Sequence, residues 1–227
     1  MIAKLPALGI VISGRGSNMA AIVRAAQCGA LPARIAVVIA DRAAAGLELA
    51  QALGITTETI PAREFADRTA FDAALAAALD QHGADFIALA GFMRILGAVF
   101  VGRYRGRLIN IHPSLLPQHK GLHTHAQVLA AGDASHGASV HFVTPDLDGG
   151  PVIAQASLQV QPADTASSLS ARVQQLEHML YPKVCGWVAS GRVQLDGDRV
   201  LFDGLPLDQP LIDSITPRTR HAGGAVC

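Results

Sequence analysis

An amide and an imidazole follow each other closely at the end of one apolar segment. Residues 108–117 read Leu-Ile-Asn-Ile-His-Pro-Ser-Leu-Leu-Pro, and the apolar residues around Asn110 favour a buried strand. Side chains two positions apart on a strand point to the same face, so Asn110 and His112 are predicted to lie side by side. Both can donate a hydrogen bond to a carbonyl oxygen under attack. The alternative is a strand end whose polar side chains only satisfy loop groups.

A carboxylate could complete this pair. Asp148 lies in the segment Pro-Asp-Leu-Asp-Gly-Gly-Pro at residues 145–151. A carboxylate close to a histidine favours the charged imidazolium, which can stabilise an oxyanion. Asn110, His112 and Asp148 would therefore suit acyl transfer without a covalent intermediate. Asp148 could also be an ordinary turn residue that precedes two glycines.

Two other kinds of chemistry have weaker sequence support. His119, His123 and His125 could be metal ligands, but no cysteine or acidic residue stands at the spacing of a metal site. Ser114 lies close to His112, but the chain has no Gly-x-Ser-x-Gly turn to expose a nucleophile. We therefore expect neither a bound metal nor a covalent intermediate.

A glycine-rich turn near the start of the chain is a second candidate site. The predicted strand 8–12 is followed by Ser-Gly-Arg-Gly-Ser-Asn at 13–18 and then by a predicted helix. Free N–H groups and the helix dipole attract anions to such a position. The turn lacks the third glycine of a dinucleotide fingerprint and the Gly-Lys-Ser/Thr of a P-loop. It predicts a single-phosphate site, or simply a tight turn in which Ser17 or Asn18 caps the helix.

Strands and helices alternate up to about residue 90, which is typical of a doubly wound α/β fold with right-handed crossovers. The continuous apolar run 34–40 favours a mostly parallel sheet with helices on both faces. Ligands bind such sheets at the carboxyl ends of the strands, where the glycine turn, residues 91–96 and the Asn110 pair should gather. Besides 8–12, the predicted strands are 34–40, 56–60 and 85–90, and the predicted helices are 43–53 and 65–80.

The second half of the chain is less regular. A long helix is expected after Asp164, which could cap it, with a kink at Pro182. From residue 205 to residue 227, Pro, Gly and Asp accumulate without periodicity, which predicts a loosely ordered tail. The other predicted elements are a short helix up to residue 131, strands at 138–144 and 152–160, and a hairpin at 192–202.

Composition limits the choice of partners and compartment. The chain of 227 residues has 18 Lys+Arg and 18 Asp+Glu, so no net field favours nucleic acid or an anionic membrane. Its three cysteines form no CxxC pair, which fits a reducing compartment. No apolar run reaches the roughly 18–20 residues that span a bilayer. We expect a cytoplasmic protein with small-molecule partners, bound to neither nucleic acid nor membrane.

Together these motifs resemble the 10-formyltetrahydrofolate-dependent formyltransferases. Residues 109–117 and 146–151 carry the family resemblance, and the match runs from about residue 8 to residue 191. Four further motifs are similar to the branch that formylates the glycine amine of phosphoribosylglycinamide in purine synthesis: residues 13–18, 91–96, 121–125 and 139–144. The resemblance implies a formyltransferase domain over 1–204. Its Rossmann-like, phosphate-binding half would reach about residue 104, and a folate-binding and catalytic half would cover 105–204.

The resemblance also implies a role for each matching residue. 10-Formyltetrahydrofolate would be the co-substrate, no metal would be needed, and the protein would be a monomer or a homodimer. The implied catalytic residues are Asn110, His112 and Asp148. Those implied to bind the ribonucleotide are Gly16, Ser17 and Asn18 at its phosphate and Glu177 at its glycinamide end. Those implied to bind the folate are Met93, Arg94, Ile95, Leu96, Thr144, Asp146 and Leu147, with Arg68 at its tail.

Related enzymes and a pure binding protein are the alternatives. A methionyl-tRNA formyltransferase would carry a further C-terminal domain, for which this chain has no room, and a formyltetrahydrofolate deformylase would carry an N-terminal regulatory domain. A folate or nucleotide binder on the same fold would not need Asn110, His112 and Asp148 together. All three residues are present, which favours the enzyme.

Overall fold

The computed structural model describes residues 4–212 and has an eight-stranded central sheet. The strands of this sheet are β1 Ala7–Ile12, β2 Arg34–Ala40, β3 Thr57–Thr59, β4 Phe86–Leu89, β5 Leu108–His112, β6 Ser135–Phe142, β7 Val152–Gln159 and β11 Leu211–Ile212. Their order in the sheet is β11-β7-β6-β5-β4-β1-β2-β3, and the predicted doubly wound α/β class is confirmed.

Helices cover both faces of the sheet. The helices are α1 Ser17–Gln27, α2 Ala45–Ala52, α3 Arg68–Gln81, α4 Ala98–Arg103, α5 Thr124–Ala131 and α6 Ala166–Ala189, with a 3-10 helix at Ala62–Glu64. Within β1, Ile10 and Ile12 pack into the hydrophobic cluster formed with α1, α2, α5 and α6, whereas Val11 packs into the cluster formed with α3 and α4. This alternation follows from the two-residue period of a strand.

The direction of the strands changes at β5. The five neighbouring strands β3, β2, β1, β4 and β5 are all parallel. In contrast, β5 pairs antiparallel with β6, and β6 pairs antiparallel with β7. Because β6 runs against β5, the end of β6 lies beside the start of β5, and Asn110 faces His141 across the ladder. The carboxyl end of the parallel half thus meets the middle of β6.

Helices α3 and α6 begin at residues other than those predicted. The predicted helix 65–80 begins at Arg68, because the Asp67 side chain accepts a hydrogen bond from the Ala70 N–H and caps it. The long helix α6 is capped by Thr165 rather than by Asp164, through a capping box with Ser168. It continues through Pro182 as one helix.

Part of the expected loose tail is ordered. Residues 205–212 contain β10 Leu205–Pro206, which extends the hairpin of β8 Val193–Asp196 and β9 Arg199–Phe202, and β11, which pairs parallel with β7. Leu207 and Leu211 pack against the core, and this long-range burial orders a segment that has no periodic pattern. Residues 213–227 lie outside the described part of the chain, and the domain boundary at residue 204 stays a prediction.

Tyr181 on α6 joins two strands of the sheet from within the core. The side chain is fully buried. Its hydroxyl donates to the carbonyl oxygens of Leu89 at 2.9 Å and Ile109 at 3.1 Å. These carbonyls belong to β4 and β5, so one buried hydroxyl ties α6 to the two strands that lead to the candidate site.

Replacing Tyr181 by phenylalanine keeps the ring and removes only this hydroxyl. The two buried carbonyl oxygens then lose the one hydroxyl proton that they share, which costs about 1–3 kcal/mol, and the urea midpoint of unfolding should fall. Tyr104→Phe is the matched control. Its hydroxyl bonds to Ala76 and to Asp80, and because the Asp80 side chain is 44% exposed, water can replace that bond. Equal losses in the two variants would contradict this account.

Candidate active site

The candidate site begins where β5 ends. β5 stops at His112 as predicted, and Pro113 follows it. Asn110 is half-buried and His112 is buried. Leu89 at the end of β4 pairs with Asn110. The backbone N–H of Ser13 donates to the Gly91 carbonyl at 3.2 Å. The glycine turn, residues 91–96 and the Asn110 pair are therefore neighbours at one edge of the sheet, as the sequence predicts.

Asp148 connects three segments around this edge. Its Oδ2 lies 3.4 Å from Nδ1 of His112 and accepts a hydrogen bond from the Gly121 N–H at 2.9 Å. Its Oδ1 lies 3.7 Å from Nε2 of His141. The Asp148 side chain is 10% exposed. Asp148 thus lies against His112. The alternative that Asp148 is only a turn residue before two glycines does not account for these contacts.

His141 is a site residue that the sequence analysis missed. Its Nδ1 donates to the Phe142 carbonyl at 2.9 Å, and its Nε2 accepts from Nδ2 of Asn110 at 3.1 Å. Burial lowers the pKa of His141, which keeps it neutral, as this hydrogen-bond pattern requires. The His141 ring therefore orients the Asn110 amide. The second N–H of that amide is left for another acceptor. The only sequence signal was its position in the motif at 139–144.

The second ring nitrogen of His112 is held by a loop. Its Nε2 donates to the backbone carbonyl of His119 at 2.9 Å. His119 has a left-handed backbone, with φ of 51°, and its own ring bonds to Asp133 at 2.6 Å. The same loop supplies the Gly121 N–H to Asp148. One short segment thus positions both the imidazole and the carboxylate.

The glycine turn forms the amino end of α1. Gly16, with φ of 75°, is the residue that caps α1, and no side chain caps the helix, so the expected capping by Ser17 or Asn18 is wrong. Those two side chains instead reach α6. Ser17 Oγ accepts from Gln174 at 3.1 Å, and Asn18 Nδ2 donates to Glu177 at 2.7 Å.

Both members of the Asn18–Glu177 pair are buried. Glu177 is one of the buried residues of α6, and its carboxyl accepts the hydrogen bond from Asn18. Burial raises the pKa of Glu177, and the hydrogen bond from Asn18 opposes this rise. Asn18 Oδ1 is buried and has no hydrogen-bond partner within residues 4–212. A carboxyl and an amide oxygen are thus available close to the amino end of α1.

Most of the residues expected to contact a folate line one cleft. Asn110, His141 and Asp148 form part of its wall. Met93 and Arg68 are not part of the wall. The Met93 N–H donates to Ser13 Oγ at 2.9 Å, and Met93 is 64% exposed. Arg68, the first residue of α3, lies beside Gly97. The expected residues in the wall are Arg94, Ile95, Leu96, Thr144, Asp146 and Leu147.

The three histidines considered as zinc ligands do not converge. His119 bonds to Asp133 and His125 to His136, and His123 directly precedes α5. Over residues 4–212, no group of three or more His, Cys, Asp or Glu side chains could hold a metal ion. Within the same residues no helix has the length and apolar character needed to cross a membrane.

The fold and this site define a formyl transferase. The chain belongs to that family, because the family model described as formyl transferase matches residues 8–185, and the expected membership is confirmed. The chain is 47% identical over 196 residues to the phosphoribosylglycinamide formyltransferase of Escherichia coli (strain K12), which covers 86% of this chain and 92% of that protein.

Two further relatives bear the same name. The chain is 37% identical over 201 residues to the phosphoribosylglycinamide formyltransferase of Haemophilus influenzae, covering 88% of this chain and 95% of that protein. It matches the solved structure of that enzyme from Coxiella burnetii with a TM-score of 0.88 and 47% identity, over 92% of this chain and 99% of that one.

Glu177→Gln is expected to stabilise the fold at alkaline pH. Because burial raises the pKa of Glu177 in the folded chain, folding favours the protonated carboxyl. The stability from this group is present below its unfolded pKa, near 4.5, and is lost as the pH rises through the folded pKa. Glutamine carries no charge and keeps an acceptor for Asn18. The melting temperature of the Glu177→Gln variant should exceed that of the wild type by a few degrees at pH 8 and by little at pH 4.5.

The matched control is Glu64→Gln, which alters an exposed glutamate. Its melting temperature should follow that of the wild type at both pH values. A difference between Glu177→Gln and the wild type that stays constant from pH 4.5 to pH 8 would refute the role of the buried charge.

Proposed function

We propose that this protein transfers the formyl group of 10-formyltetrahydrofolate directly to the glycine amine of phosphoribosylglycinamide, in purine biosynthesis. The observation that carries the proposal is that Asp148 lies against His112 and against His141, whose ring bonds to Asn110, and that Asn110 and Asp148 line a cleft. The cleft also contains most of the residues that the family resemblance assigns to the folate. The named relatives have the same activity in their names.

The reaction needs a group that stabilises negative charge on the formyl oxygen. The amine nitrogen attacks the formyl carbon, and its C=O electrons move to the oxygen to form a tetrahedral intermediate. When the oxygen re-forms its double bond, the bond to N10 of the folate breaks, and a proton passes from the amine to N10. Asn110 donates its free N–H to the oxyanion, and each such donor typically contributes about 3–4 kcal/mol.

His112 is the second donor in this proposal. Both of its nitrogens face protein acceptors, at 2.9 Å to His119 and at 3.4 Å to Asp148. The longer contact is the weaker one, so we propose that the formyl oxygen takes over the Nδ1 proton from Asp148. The Asp148 carboxylate stays beside the ring and balances the positive charge of the imidazolium. It also orders the water through which the proton passes to N10.

The ribonucleotide is proposed to bind along the amino end of α1. Its phosphate would accept hydrogen bonds from the N–H groups of Gly16, Ser17 and Asn18, in the field of the helix dipole. Glu177 would bind the glycinamide amine, and its raised pKa would help it accept a proton there. The unpartnered Asn18 Oδ1 supports a ligand at this position.

The folate is proposed to lie in the cleft next to Asn110. Leu96 and Leu147 offer apolar contacts to its ring system, and Arg94 offers a cation to its glutamate tail. Arg68 remains part of this proposal as a further contact to the tail, since it lies beside Gly97. Met93 also remains part of the proposed folate site, through its backbone. The hydrogen bond from the Met93 N–H to Ser13 Oγ fixes that backbone.

We also propose the setting in which the enzyme works. Its partners are these two small molecules and not nucleic acid, since its net charge is zero. The proposed compartment is the cytoplasm, and the proposed form is a monomer or a homodimer. No metal takes part in the proposed chemistry.

The test of the function is a spectrophotometric assay of the purified protein with 10-formyl-5,8-dideazafolate. We expect deformylation only when phosphoribosylglycinamide is also present, with the formyl group recovered on the ribonucleotide. Deformylation in its absence would identify a hydrolase instead. Absence of reaction with both substrates would refute the proposed acceptor.

Single substitutions test the three catalytic residues. His112→Ala and Asp148→Ala should each reduce kcat by roughly 10²–10⁴-fold, and Asn110→Ala by roughly 10²–10³-fold, with small changes in KM. The contrast is Glu177→Gln, which should chiefly raise KM for the ribonucleotide. Circular dichroism checks that each variant folds. Near-normal kcat in the His112 or Asp148 variant would exclude the mechanism.

A further inference from the structure

Gln155 on β7 lies in one row with the candidate catalytic histidine. Across the antiparallel ladders, Gln155 pairs with Ser139 on β6, and Ser139 pairs with His112 at the end of β5. Residues directly opposite each other on neighbouring strands point to the same face of a sheet. The segment that follows His112 crosses this face, since Leu116 bonds to both Ser139 and Gln155.

Ser139 and Gln155 bond to each other and to the backbone of residues 114–116. Gln155 Nε2 donates to the Leu116 carbonyl at 2.8 Å and to Ser139 Oγ at 2.9 Å. Ser139 is fully buried, and its Oγ donates to the Ser114 carbonyl at 2.6 Å and accepts from the Leu116 N–H at 3.0 Å. The hydroxyl thereby uses its donor and both acceptor sites, and the amide nitrogen uses both of its protons.

The segment held in this way leads directly to a contact of the catalytic imidazole. Ser114 Oγ donates to the Gln118 carbonyl at 2.7 Å, and the Gln118 N–H donates to the Leu115 carbonyl at 3.1 Å. The next residue is His119, whose carbonyl holds Nε2 of His112 at 2.9 Å. Because these bonds close the turn between the held segment and His119, the position of the segment determines the position of that carbonyl.

We propose that Ser139 and Gln155 are positioning residues for the catalytic imidazole. The inference rests on the proposed function, in which His112 donates the proton on Nδ1 to the formyl oxygen. Neither Ser139 nor Gln155 lines the cleft that the described residues form, so both act through the loop. By fixing the start of this loop they set the His119 carbonyl, and with it the direction in which His112 presents its proton.

The first test removes the N–H donors of Gln155 and keeps the size of its side chain. Gln155→Met cannot donate to the Leu116 carbonyl or to Ser139. In the assay with 10-formyl-5,8-dideazafolate, kcat should fall about 10- to 100-fold, because a small displacement of a positioned group costs this much. KM for both substrates should stay nearly constant. A variant with a lower melting temperature but an unchanged kcat overturns the inference, because that result shows a structural role alone.

The second test removes the other member of the pair. Ser139→Ala loses the hydroxyl that bonds to residues 114–116, and its kcat should fall by a similar factor. Because both side chains act on one segment, the double variant should be little slower than the slower single variant. Effects that multiply fully would overturn the shared action. The matched control is Gln27→Ala, which loses a bond from Gln Nε2 to the Leu53 carbonyl at 2.7 Å and should leave kcat unchanged.

Magnetic resonance reports on the imidazole without any substrate. In protein labelled with nitrogen-15 histidine, the Nε2 proton of His112 should give a downfield signal that is absent from His112→Ala. Because the His119 carbonyl holds this proton, the signal should be lost or broadened by exchange with water in Gln155→Met. The signal should persist in Gln27→Ala. An unchanged signal in Gln155→Met overturns the inference.

The same spectra distinguish failure of this inference from failure of the proposed function. If the wild type transfers no formyl group but the His112 signal depends on Gln155, the positioning role stands and the proposed reaction is wrong. If the wild type transfers the formyl group, and Gln155→Met changes neither kcat nor the signal, the reaction stands and the positioning role is wrong.

Discussion

The position of the Asp148 carboxylate is the constraint on which the candidate site depends. Asp148 has a left-handed backbone, with φ of 46°, and its side chain lies against His112, His141 and the Gly121 N–H. The following turn explains this placement. A Cβ on Gly150 would lie 1.8 Å from the Phe142 carbonyl oxygen, so only glycine lets the chain pass this close to β6. The Gly149-Gly150 pair is thus what brings the carboxylate over the histidines.

The reversal of strand direction at β5 is the second feature that builds the site, and it also limits what the sequence could predict. The alternation in the first half predicted the parallel strands, and the spacing of Asn110 and His112 predicted a polar strand end. The partner of Asn110 was not predicted, because His141 is reached through the antiparallel register of β6, a long-range pairing without local signal. The order in β11 depends on a similar long-range contact with β7.

The geometry of the loops could not be predicted from the sequence for the same reason. Residues 91–97 are held at one end by Ser13 and at the other by Asp72, which accepts from the Gly97 N–H at 2.7 Å. These anchors lie far away in sequence, and only the folded chain brings them together. The predicted first residues of the helices differ from the observed ones by a few positions for a simpler reason. Several neighbouring polar residues can cap the amino end of a helix, and the backbone geometry decides which one does. In α6 this residue is Thr165 and not Asp164.

The distribution of charge explains how a protein without net charge can serve anionic ligands. At the amino end of α1 the attraction comes from backbone dipoles, and no basic side chain enters into the Asn18–Glu177 pair. Glu177 can remain buried there because Asn18 donates to it and because burial favours its protonated form. Where β2 and β3 end, the positive charge comes from the guanidinium groups of Arg42, Arg63 and Arg94, and Asp41 balances the first of these. This distribution follows from solvation: a buried charge needs a partner, as Asp41 has in Arg42, whereas exposed arginines stay hydrated and need none.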